Sequence, residues 1–200
     1  MYNIFILGDD VVMKINVYDF DKTIYSKDSS IEFFLFCLRK KPYIFVYIPG
    51  IIILLFFNKI KVLKIEKTKS YFFKFIKFFS NNVDKIVNEF WSINKKYIRY
   101  DLIKDNNYNV VISASPTFLL KNICNDIGIN KLIASKVDIN TGTFIGKNCH
   151  DVEKLNRLNS EINNYCIDYF YSDSYSDNCL AALAKNPYII KNGKVKKWYD

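Results

Sequence analysis

The chain has 200 residues, half of them apolar and 17% aromatic, which excludes intrinsic disorder and allows one domain with a sizeable core and a smaller insert. Its net charge of +9 would suit a nucleic-acid-binding protein, but only three of the 29 basic residues are arginine, the usual reader of base edges. No nucleic-acid-binding motif occurs either, and we expect no nucleic-acid partner.

The first predicted strand covers residues 14–20, KINVYDF, which are rich in β-branched and aromatic side chains. Its end carries two carboxylates, Asp19 and Asp21, within the stretch VYDFDKT. Acids at the end of a strand often only begin a solvated turn, so this pair alone leaves a functional and a structural interpretation open. Residues 1–12 are too short and wrongly flanked for a signal peptide, and we expect an N-terminal extension, with Met13 as an alternative start.

Residues 27–105 contain almost no strand signals and predict a helical insert after the first strand. Its predicted helices cover residues 30–41, 59–79 and 83–102. The first should begin at the capping residue Asp28 and end at Pro42. The other two carry apolar residues at three-to-four spacing with lysines between them, the pattern of amphipathic helices.

The segment 43–57, YIFVYIPGIIILLFF, is very apolar. Its fifteen residues fall short of the roughly 20 needed for a spanning helix, and Pro49-Gly50 interrupts them. Seven lysines follow between residues 59 and 77, with Glu66 as the only acid in that window. Two accounts remain open: an insert whose apolar faces bury one another, or an insert that enters a membrane interface while its lysines contact anionic headgroups.

From residue 108 onwards strands and helices alternate, which predicts an α/β fold with a parallel sheet and helices on both faces. The predicted strands cover residues 108–115, 131–138 and 167–172, with a hairpin at 140–144 and short strands within 186–198. The predicted helices cover residues 116–128, 151–162 and 176–185.

Polar side chains follow three of these strands, at the sheet edge where such folds bind ligands. They are Asp19 and Asp21 after the first strand, Ser113 after the second, and Asp173 and Asp177 after the third. Four acids at one edge would repel each other unless a divalent cation lay among them. An all-oxygen ligand set suits Mg²⁺.

The cysteines and the histidine argue against other kinds of site. The five cysteines are odd in number and form no C-x-x-C pair, which argues against a disulfide framework or a zinc site and favours the reducing cytoplasm. His150 is the only histidine, which argues against a His-based triad or a multi-His metal site.

In this order the motifs resemble those of the haloacid dehalogenase superfamily. The matching residues are Asp19, Asp21 and Thr23 in D-x-D-x-T, Ser113 in S-x-S, Lys154 at the head of a helix, and Asp173 and Asp177 in S-D-S-x-x-D. The long insert after the first motif is similar to the phosphoserine-phosphatase-like subclass (subclass IB). The segment IASKVD…NCHDVEKL…YSDSYSD resembles bacterial members of that subclass, including phosphatidylglycerophosphatase-like ones.

The resemblance implies a Mg²⁺-dependent phosphomonoester phosphatase. Asp19 would attack phosphorus to form an aspartyl-phosphate, and Asp21 would protonate the leaving oxygen and then activate water. Ser113 and Lys154 would bind the phosphoryl group. Mg²⁺ would be bound by Asp19, Asp173 and the backbone carbonyl of Asp21.

The supporting roles carry alternatives. Thr23 would orient the loop of the first motif, and Asp177 would orient Asp173 or a metal-bound water. Asp177 and Ser113 could instead cap helices.

Lys147 is an alternative to Lys154 as the phosphate-binding lysine. Asp151 stands where the subclass commonly has glycine. Asp28 lies nine residues after Asp19, where phosphoserine phosphatases carry an acid, but their Met- and Arg-bearing cap motif is absent, so phosphoserine is not assigned.

The resemblance also implies the domain organisation. Residues 13–26 and 106–200 would form a Rossmann-like catalytic core, and residues 27–105 a helical cap that excludes water and selects the leaving group. One alternative is a phosphatidylglycerophosphatase-like enzyme at the membrane periphery that takes a lipid phosphate. A second is a catalytically silent binding protein of the same fold.

Overall fold

Elements were assigned in a computed structural model that describes residues 4–7, 10–60, 64–104 and 107–199. The strands are Ile4–Leu7 (β1), Asp10–Tyr18 (β2), Tyr108–Pro116 (β3), Lys131–Val137 (β4), Phe144–Ile145 (β5), Tyr165–Ser172 (β6), Ala184–Lys191 (β7) and Lys194–Lys197 (β8). The α-helices are Ser29–Lys40 (α1), Ile48–Lys59 (α2), Ile65–Phe73 (α3), Val83–Asn94 (α4), Thr117–Asp126 (α5), Val152–Glu161 (α6) and Asn178–Ala181 (α7).

The described strands form one mixed sheet in the order β5-β4-β3-β2-β6-β7-β8, with β1 paired to β2. Its centre is parallel, since β2 pairs in parallel with β3 and β6, β3 with β4, and β6 with β7. The hairpins β1–β2, β4–β5 and β7–β8 are antiparallel. The carboxyl ends of β2, β3 and β6 therefore meet at one edge of the sheet.

Two hydrophobic clusters cover the two faces of the sheet, as predicted for an α/β fold. Ile15 and Val17 of β2 pack with Leu158 of α6 and Leu180 of α7 on one face. Tyr18 belongs to the other cluster, which contains α5 and the helices between β2 and β3. Alternation along β2 sends successive side chains to opposite layers, so a buried parallel strand contributes to both.

The helical insert, α1 to α4 with the turns between them, enters and leaves through two adjacent chain segments. Tyr25 pairs with Ile98 in an isolated antiparallel bridge. The N–H of Ser26 donates to the carbonyl of Tyr97 at 3.1 Å, and that of Arg99 to the carbonyl of Ile24 at 2.8 Å. These segments form a short two-stranded stalk that connects the insert to the sheet.

Several elements differ from the sequence prediction. The amphipathic helix predicted over 59–79 is α3 followed by a 3₁₀ helix over Lys74–Asn82, and residues 61–63 lie outside the described ranges. The helix predicted over 83–102 ends at Asn94 and continues as short 3₁₀ turns. The helix predicted over 176–185 has only four α-helical residues, because Ala184 already belongs to β7 and pairs with Ile167 of β6.

The predicted N-terminal extension also needs a correction. Ile4–Leu7 form β1 and pair with β2 between Asp10 and Met13, so this part of residues 1–12 is a strand of the sheet. The first core strand consequently begins at Asp10, before the predicted residue 14. Residues 1–3, 8 and 9 of the proposed extension lie outside the described ranges.

The apolar segment 43–57 is helical and largely exposed. A 3₁₀ helix over Pro42–Tyr47 runs directly into α2, because Pro49 lies in the first turn of α2, where a missing N–H costs no hydrogen bond. Within the described ranges, Pro42–Lys59 is the one helical segment long and apolar enough to cross a membrane, and only 11% of it is buried. Mutual burial of apolar faces is therefore limited to one side of this segment, where Ile44 and Ile51 belong to the core.

Candidate active site

Asp19 lies immediately after β2, at the carboxyl edge of the sheet. It is 8% exposed, and its backbone N–H donates to the carbonyl of Tyr171 on neighbouring β6 at 2.8 Å. Its Oδ1 accepts from Lys154 Nζ at 2.5 Å, and Thr23 Oγ1 lies 3.4 Å from Oδ2. Burial raises the pKa of Asp19, and Lys154 opposes this by stabilising the carboxylate.

Lys154 is buried at the start of α6 and connects two carboxylates. Its Nζ donates to Asp19 and, at 2.7 Å, to Asp177 Oδ2. Burial alone would lower the pKa of Lys154, but the two carboxylates raise it above its ordinary value, so the ammonium stays charged. The alternative, Lys147, is exposed and lies 3.9 Å from Glu153. The structure therefore brings Lys154, and not Lys147, to Asp19.

Asp21 is held by donors from two different segments. Ser115 Oγ donates to its Oδ2 at 2.5 Å, and the backbone N–H of Ser29 donates to its Oδ1 at 2.7 Å. Burial and the nearby charge of Asp28 raise the pKa of Asp21 to about 6, although the hydrogen bonds oppose the shift. A carboxyl group with this pKa can exchange a proton near neutral pH.

The remaining predicted residues lie at the same edge. Ser113 is buried near the carboxyl end of β3, and its Oγ accepts from the N–H of Ser115 at 3.1 Å, so its own hydroxyl proton is available to a ligand. α5 has no side-chain cap, and the capping role considered for Ser113 is not observed. Burial raises the pKa of Asp173, which is half-buried after β6.

Asp177 is fully buried and has an unpaired oxygen. Its Oδ2 accepts from Lys154 and from Ser172 Oγ, both at 2.7 Å, whereas Oδ1 has no hydrogen-bond partner among the residues that the structure describes. It makes no side-chain cap on α7, so the capping alternative is not observed here either. An orphaned carboxylate oxygen is costly unless something else binds it.

The site residues line a cleft of about 520 Å³ between the sheet edge and the helical insert. Asp19, Asp21, Ser113, Lys154, Asp173 and Asp177 all border it, whereas Thr23 lies behind Asp19. The insert contributes an apolar wall, which includes Ile51 and Leu55 of α2 and Ile65, Phe72 and Phe73 of α3. One side of the cleft is thus charged and the other is apolar.

Two residues of the cleft had no role assigned from the sequence: Ser115, the second hydroxyl of the S-x-S motif, and Lys69. Ser115 positions Asp21 through a contact between residues 94 positions apart. Lys69 of α3 lines the cleft and donates to the carbonyl of Ala114 at 3.2 Å and to Asn148 Oδ1 at 2.8 Å. Lys69 is one of seven lysines in its window, and nothing in the sequence distinguishes it from the exposed ones.

The loop before α6 has a conformation that suits glycine. Asp151 has φ 55° and ψ −132°, a region that residues with a Cβ rarely occupy, and its carbonyl accepts from the N–H of Lys154 at 3.0 Å. Glycine, common at this position in the related subclass, would adopt this conformation without strain. The loop nevertheless places Lys154 correctly with aspartate there.

We expect Asp151→Gly to raise the free energy of unfolding by about 1 kcal/mol, because relief of backbone strain outweighs the entropy that glycine adds to the unfolded chain. Chemical denaturation would measure the change. Asp151→Ala is the matched control, since alanine keeps the Cβ and should gain nothing. An equal gain in both variants would show that the carboxylate, and not the backbone, causes any strain.

Comparison with known proteins identifies the family. Residues 17–182 match the family model of haloacid dehalogenase-like hydrolases. The chain belongs to this family. A histidinol-phosphatase of Neisseria meningitidis serogroup C (strain 8013) is 29% identical, over 44% of this chain and 49% of that protein. The chain thus aligns with only about half of that relative.

Solved structures resemble this hydrolase over most of its length. A protein of unknown function from Bordetella pertussis Tohama I has a TM-score of 0.74 at 17% identity, covering 88% of this chain and 89% of that one. A phosphoserine phosphohydrolase-like protein from Francisella tularensis subsp. tularensis SCHU S4 has a TM-score of 0.60 at 15% identity, covering 90% and 88%. At these identities the similarity concerns the fold. The predictions of the family, the fold class and a hydrolase-type enzyme are confirmed.

The oxygens of the hydrolase's cleft fit the Mg²⁺ that its family generally uses. Among the described side chains, no three of the His, Cys, Asp or Glu type converge closely enough to hold a metal by themselves. Mg²⁺ does not need three, because it keeps several waters and needs only one or two carboxylates. Asp19 and Asp173 line one cleft, with the unpaired Asp177 Oδ1 nearby. This donor set contains only oxygen, as Mg²⁺ prefers.

Proposed function

We propose that this hydrolase is a Mg²⁺-dependent phosphomonoester phosphatase that forms an aspartyl-phosphate on Asp19. The observation that supports this best is the pair of acids at the charged side of the cleft. Burial raises the pKa of Asp19 to about 7 and that of Asp21 to about 6, so the two acids are distinguished by their partners and not by these values. Asp19 accepts from the charged Lys154 at 2.5 Å, which favours the attacking carboxylate, whereas Asp21 is held by neutral donors and is suited to give and take a proton.

In the first step a carboxylate oxygen of Asp19 attacks phosphorus and the bond from phosphorus to the ester oxygen breaks. The protonated carboxyl of Asp21 gives its proton to that oxygen, and the alcohol leaves. Ser115 and the Ser29 N–H hold Asp21 in place through both of its oxygens. This fixed orientation is what a proton donor needs at the moment the bond breaks.

In the second step the Asp21 carboxylate takes a proton from a water molecule, whose oxygen attacks the phosphorus of the aspartyl-phosphate. The bond between phosphorus and Asp19 breaks and inorganic phosphate leaves. Asp19 is again a carboxylate and Asp21 is again protonated, so the cycle is closed.

Charge stabilisation comes from the other residues of the edge. Ser113 donates its hydroxyl to a phosphoryl oxygen, and Lys154 offsets negative charge on both Asp19 and the phosphoryl group. Bound Mg²⁺, held by Asp19, Asp173 and the Asp21 carbonyl, would supply further positive charge and orient the phosphate. Asp177 holds Lys154, and Thr23 holds Asp19, in position.

The helical insert acts as the cap of the active site in this proposal. Its α3 reaches the core through Lys69, which lies at the cleft and contacts the carbonyl that follows Ser113. Glu66 of the same helix accepts from the N–H of Asn148 at 3.3 Å. These contacts hold the insert beside the acids, where it would limit the access of water during the first step.

Hydrolysis of p-nitrophenyl phosphate should require Mg²⁺ and stop with a chelator, because Lys154 alone does not offset the charges of the carboxylates and the phosphate. Phosphate release before and after EDTA, and after Mg²⁺ is restored, measures this. Full activity after exhaustive chelation would contradict the metal assignment. No turnover of any phosphomonoester with Mg²⁺ present would favour the silent binding protein instead.

A lipid phosphate monoester is the second candidate substrate. Ile51 and Leu55 of the exposed helix α2 line the cleft, so an acyl chain beside the phosphate would meet an apolar wall. The enzyme would then work at the periphery of a cytoplasmic membrane surface, a location compatible with its five free cysteines. Comparing turnover of soluble phosphomonoesters with that of a short-chain lipid phosphate would separate the two substrate classes.

A further inference from the structure

Helix α2 and the 3₁₀ turn before it present an unpartnered apolar face. Its exposed residues are Phe45 (63%), Val46 (65%), Ile52 (61%), Ile53 (55%) and Phe56 (62%). Ile52, Ile53 and Phe56 share one side of α2 because of their spacing. The opposite side carries Ile51, which is buried. A helix that is apolar all round is normally buried in a protein core or in lipid, and the protein buries only one side of this one.

The helices that carry or adjoin this face, α2, α3 and the 3₁₀ helix after α3, are rich in lysine. Between residues 41 and 82 the chain has eight lysines and one acid, Glu66. Five of the eight lysines have exposed side chains and lie in or next to α2, α3 and the 3₁₀ helix after α3: Lys59, Lys64, Lys67, Lys74 and Lys77. We call these lysines the lysine border of the apolar face. A partner that fits both features has an apolar interior, which the apolar side chains can enter, and negative charge at its surface, which the lysines can contact. A bilayer with anionic headgroups has this combination, since each lysine near such a surface adds to the attraction.

We propose that this face, Pro42–Lys59 with its lysine border, docks the protein onto the interface of an anionic bilayer. Ile52, Ile53 and Phe56 enter the boundary between headgroups and acyl chains, and the lysines contact the headgroup phosphates. This docking does not depend on the phosphatase chemistry proposed for the cleft.

The packing of α2 on α3 places α2 along the interface and not across the bilayer. Thr68 Oγ1 donates to the carbonyl of Leu54 at 3.5 Å, and a side chain at Gly50 would collide with the ring of Tyr71. The two helices therefore lie against each other. A spanning α2 would draw the charged residues of α3 into hydrocarbon, which is costly, whereas an interfacial α2 leaves them among headgroups.

The bilayer suits this face better than a second copy of the chain does. A symmetric dimer through α2 would bring two lysine-rich borders together, and like charges at an interface oppose association. A bilayer supplies the opposite charge. Ile51, on the side of α2 opposite the docked residues, lines the cleft together with Leu55, so the cleft would lie about one helix diameter, roughly 10 Å, from the headgroups.

Co-sedimentation tests the proposal with vesicles of phosphatidylcholine alone and of equal parts phosphatidylcholine and phosphatidylglycerol. The wild-type protein should bind the anionic vesicles at low salt, and less at high salt because screening weakens the lysine contacts. The double variant I52S/F56S should bind them at least about tenfold more weakly. The control variant Ile93→Ser removes an equally exposed isoleucine, 55% exposed on α4, and should bind as the wild type does.

Hydrolysis of p-nitrophenyl phosphate in the same samples separates docking from catalysis, since neither Ile52 nor Phe56 lines the cleft. Unchanged turnover shows that the double variant is folded. If the double variant does not fold, hydrogen exchange of the wild-type protein tests the docking proposal instead. The amides of residues 43–60 should exchange more slowly when anionic vesicles are present, and the exchange of the α4 amides should not change.

Three results would overturn the proposal. They are equal binding of wild type and I52S/F56S, absence of wild-type binding at low salt, and exchange in α2 that vesicles do not change. A dimer that light scattering detects and that I52S/F56S disrupts, without vesicle binding, would assign the face to a second copy of the chain.

Discussion

Asp19→Asn should abolish turnover while leaving the fold intact. An amide has no anionic oxygen to attack phosphorus, and it binds Mg²⁺ poorly. Its shape matches the carboxylate, and Lys154 keeps Asp177 as a partner at 2.7 Å, so the buried lysine is not left alone. Phosphate release and circular dichroism would measure activity and fold. Near wild-type turnover in this variant would refute the mechanism as a whole.

Asp21→Asn is the matched variant, because it makes the same change two residues away. It should slow turnover by roughly two orders of magnitude or more, the usual scale for lost acid–base help. The leaving group of p-nitrophenyl phosphate needs little protonation. With this substrate, Asp21→Asn should therefore slow formation of the aspartyl-phosphate less than it slows its hydrolysis. Mass spectrometry after acid quenching should then detect phosphorylated protein in Asp21→Asn and none in Asp19→Asn. Phosphorylation of Asp19→Asn would identify a different nucleophile.

Lys154→Met should be strongly destabilising as well as inactive. It leaves Asp19 and Asp177 buried together without their shared cation, and removing one partner of a buried ion pair typically costs about 3–5 kcal/mol of unfolding free energy. Methionine keeps most of the side-chain volume, so a cavity contributes little. Chemical denaturation of the variant and the wild type would measure the loss.

The pH dependence of that loss distinguishes charge from packing. Burial already raises the pKa of Asp19, and removing Lys154 raises it further, so the folded variant binds a proton more tightly than the unfolded chain. Between the ordinary aspartate pKa and this raised value, its stability should increase as pH falls. The deficit should thus be smaller near pH 5 than near pH 8. An equal loss of unfolding free energy at pH 5 and pH 8 would indicate that the variant has lost packing and not charge compensation. Lys147→Met, at an exposed lysine, is the control and should change neither stability nor turnover.

The charged half of the cleft could be predicted from the sequence because it depends on strand ends. Asp19 and Asp173 directly follow strands and Ser113 lies near the end of one, and parallel pairing of β2 with β3 and β6 brings those ends together. The sequence predicts Lys154 as the phosphate-binding lysine but leaves Lys147 as an alternative. The two were distinguished by the turn at Asp151, which places the first turn of α6 against Asp19.

The rest depends on contacts that spacing does not encode. Ser115 meets Asp21, and Lys69 meets Asn148, over long sequence separations. The short α7 shows tertiary pairing overriding local propensity, since pairing with β6 draws Ala184 into a strand. The exposure of α2 could not be predicted either, because a helix that is apolar on all sides has no periodicity to show which side the protein covers.

The stalk has a consequence for how such an enzyme can diversify. Because Ser26 and Tyr97, and likewise Ile24 and Arg99, are hydrogen-bonded neighbours, the insert starts and finishes at one spot on the core. Exchanging everything beyond those pairs for another helical module would leave the pairing of β2 with β3 untouched. In the proposed mechanism the four acids and Lys154 belong to the core, but Ser29, which holds Asp21, and Lys69 belong to the insert, so a grafted module would have to supply equivalents of both. New substrates are accessible by grafting at the stalk, without re-evolving the four acids and the lysine.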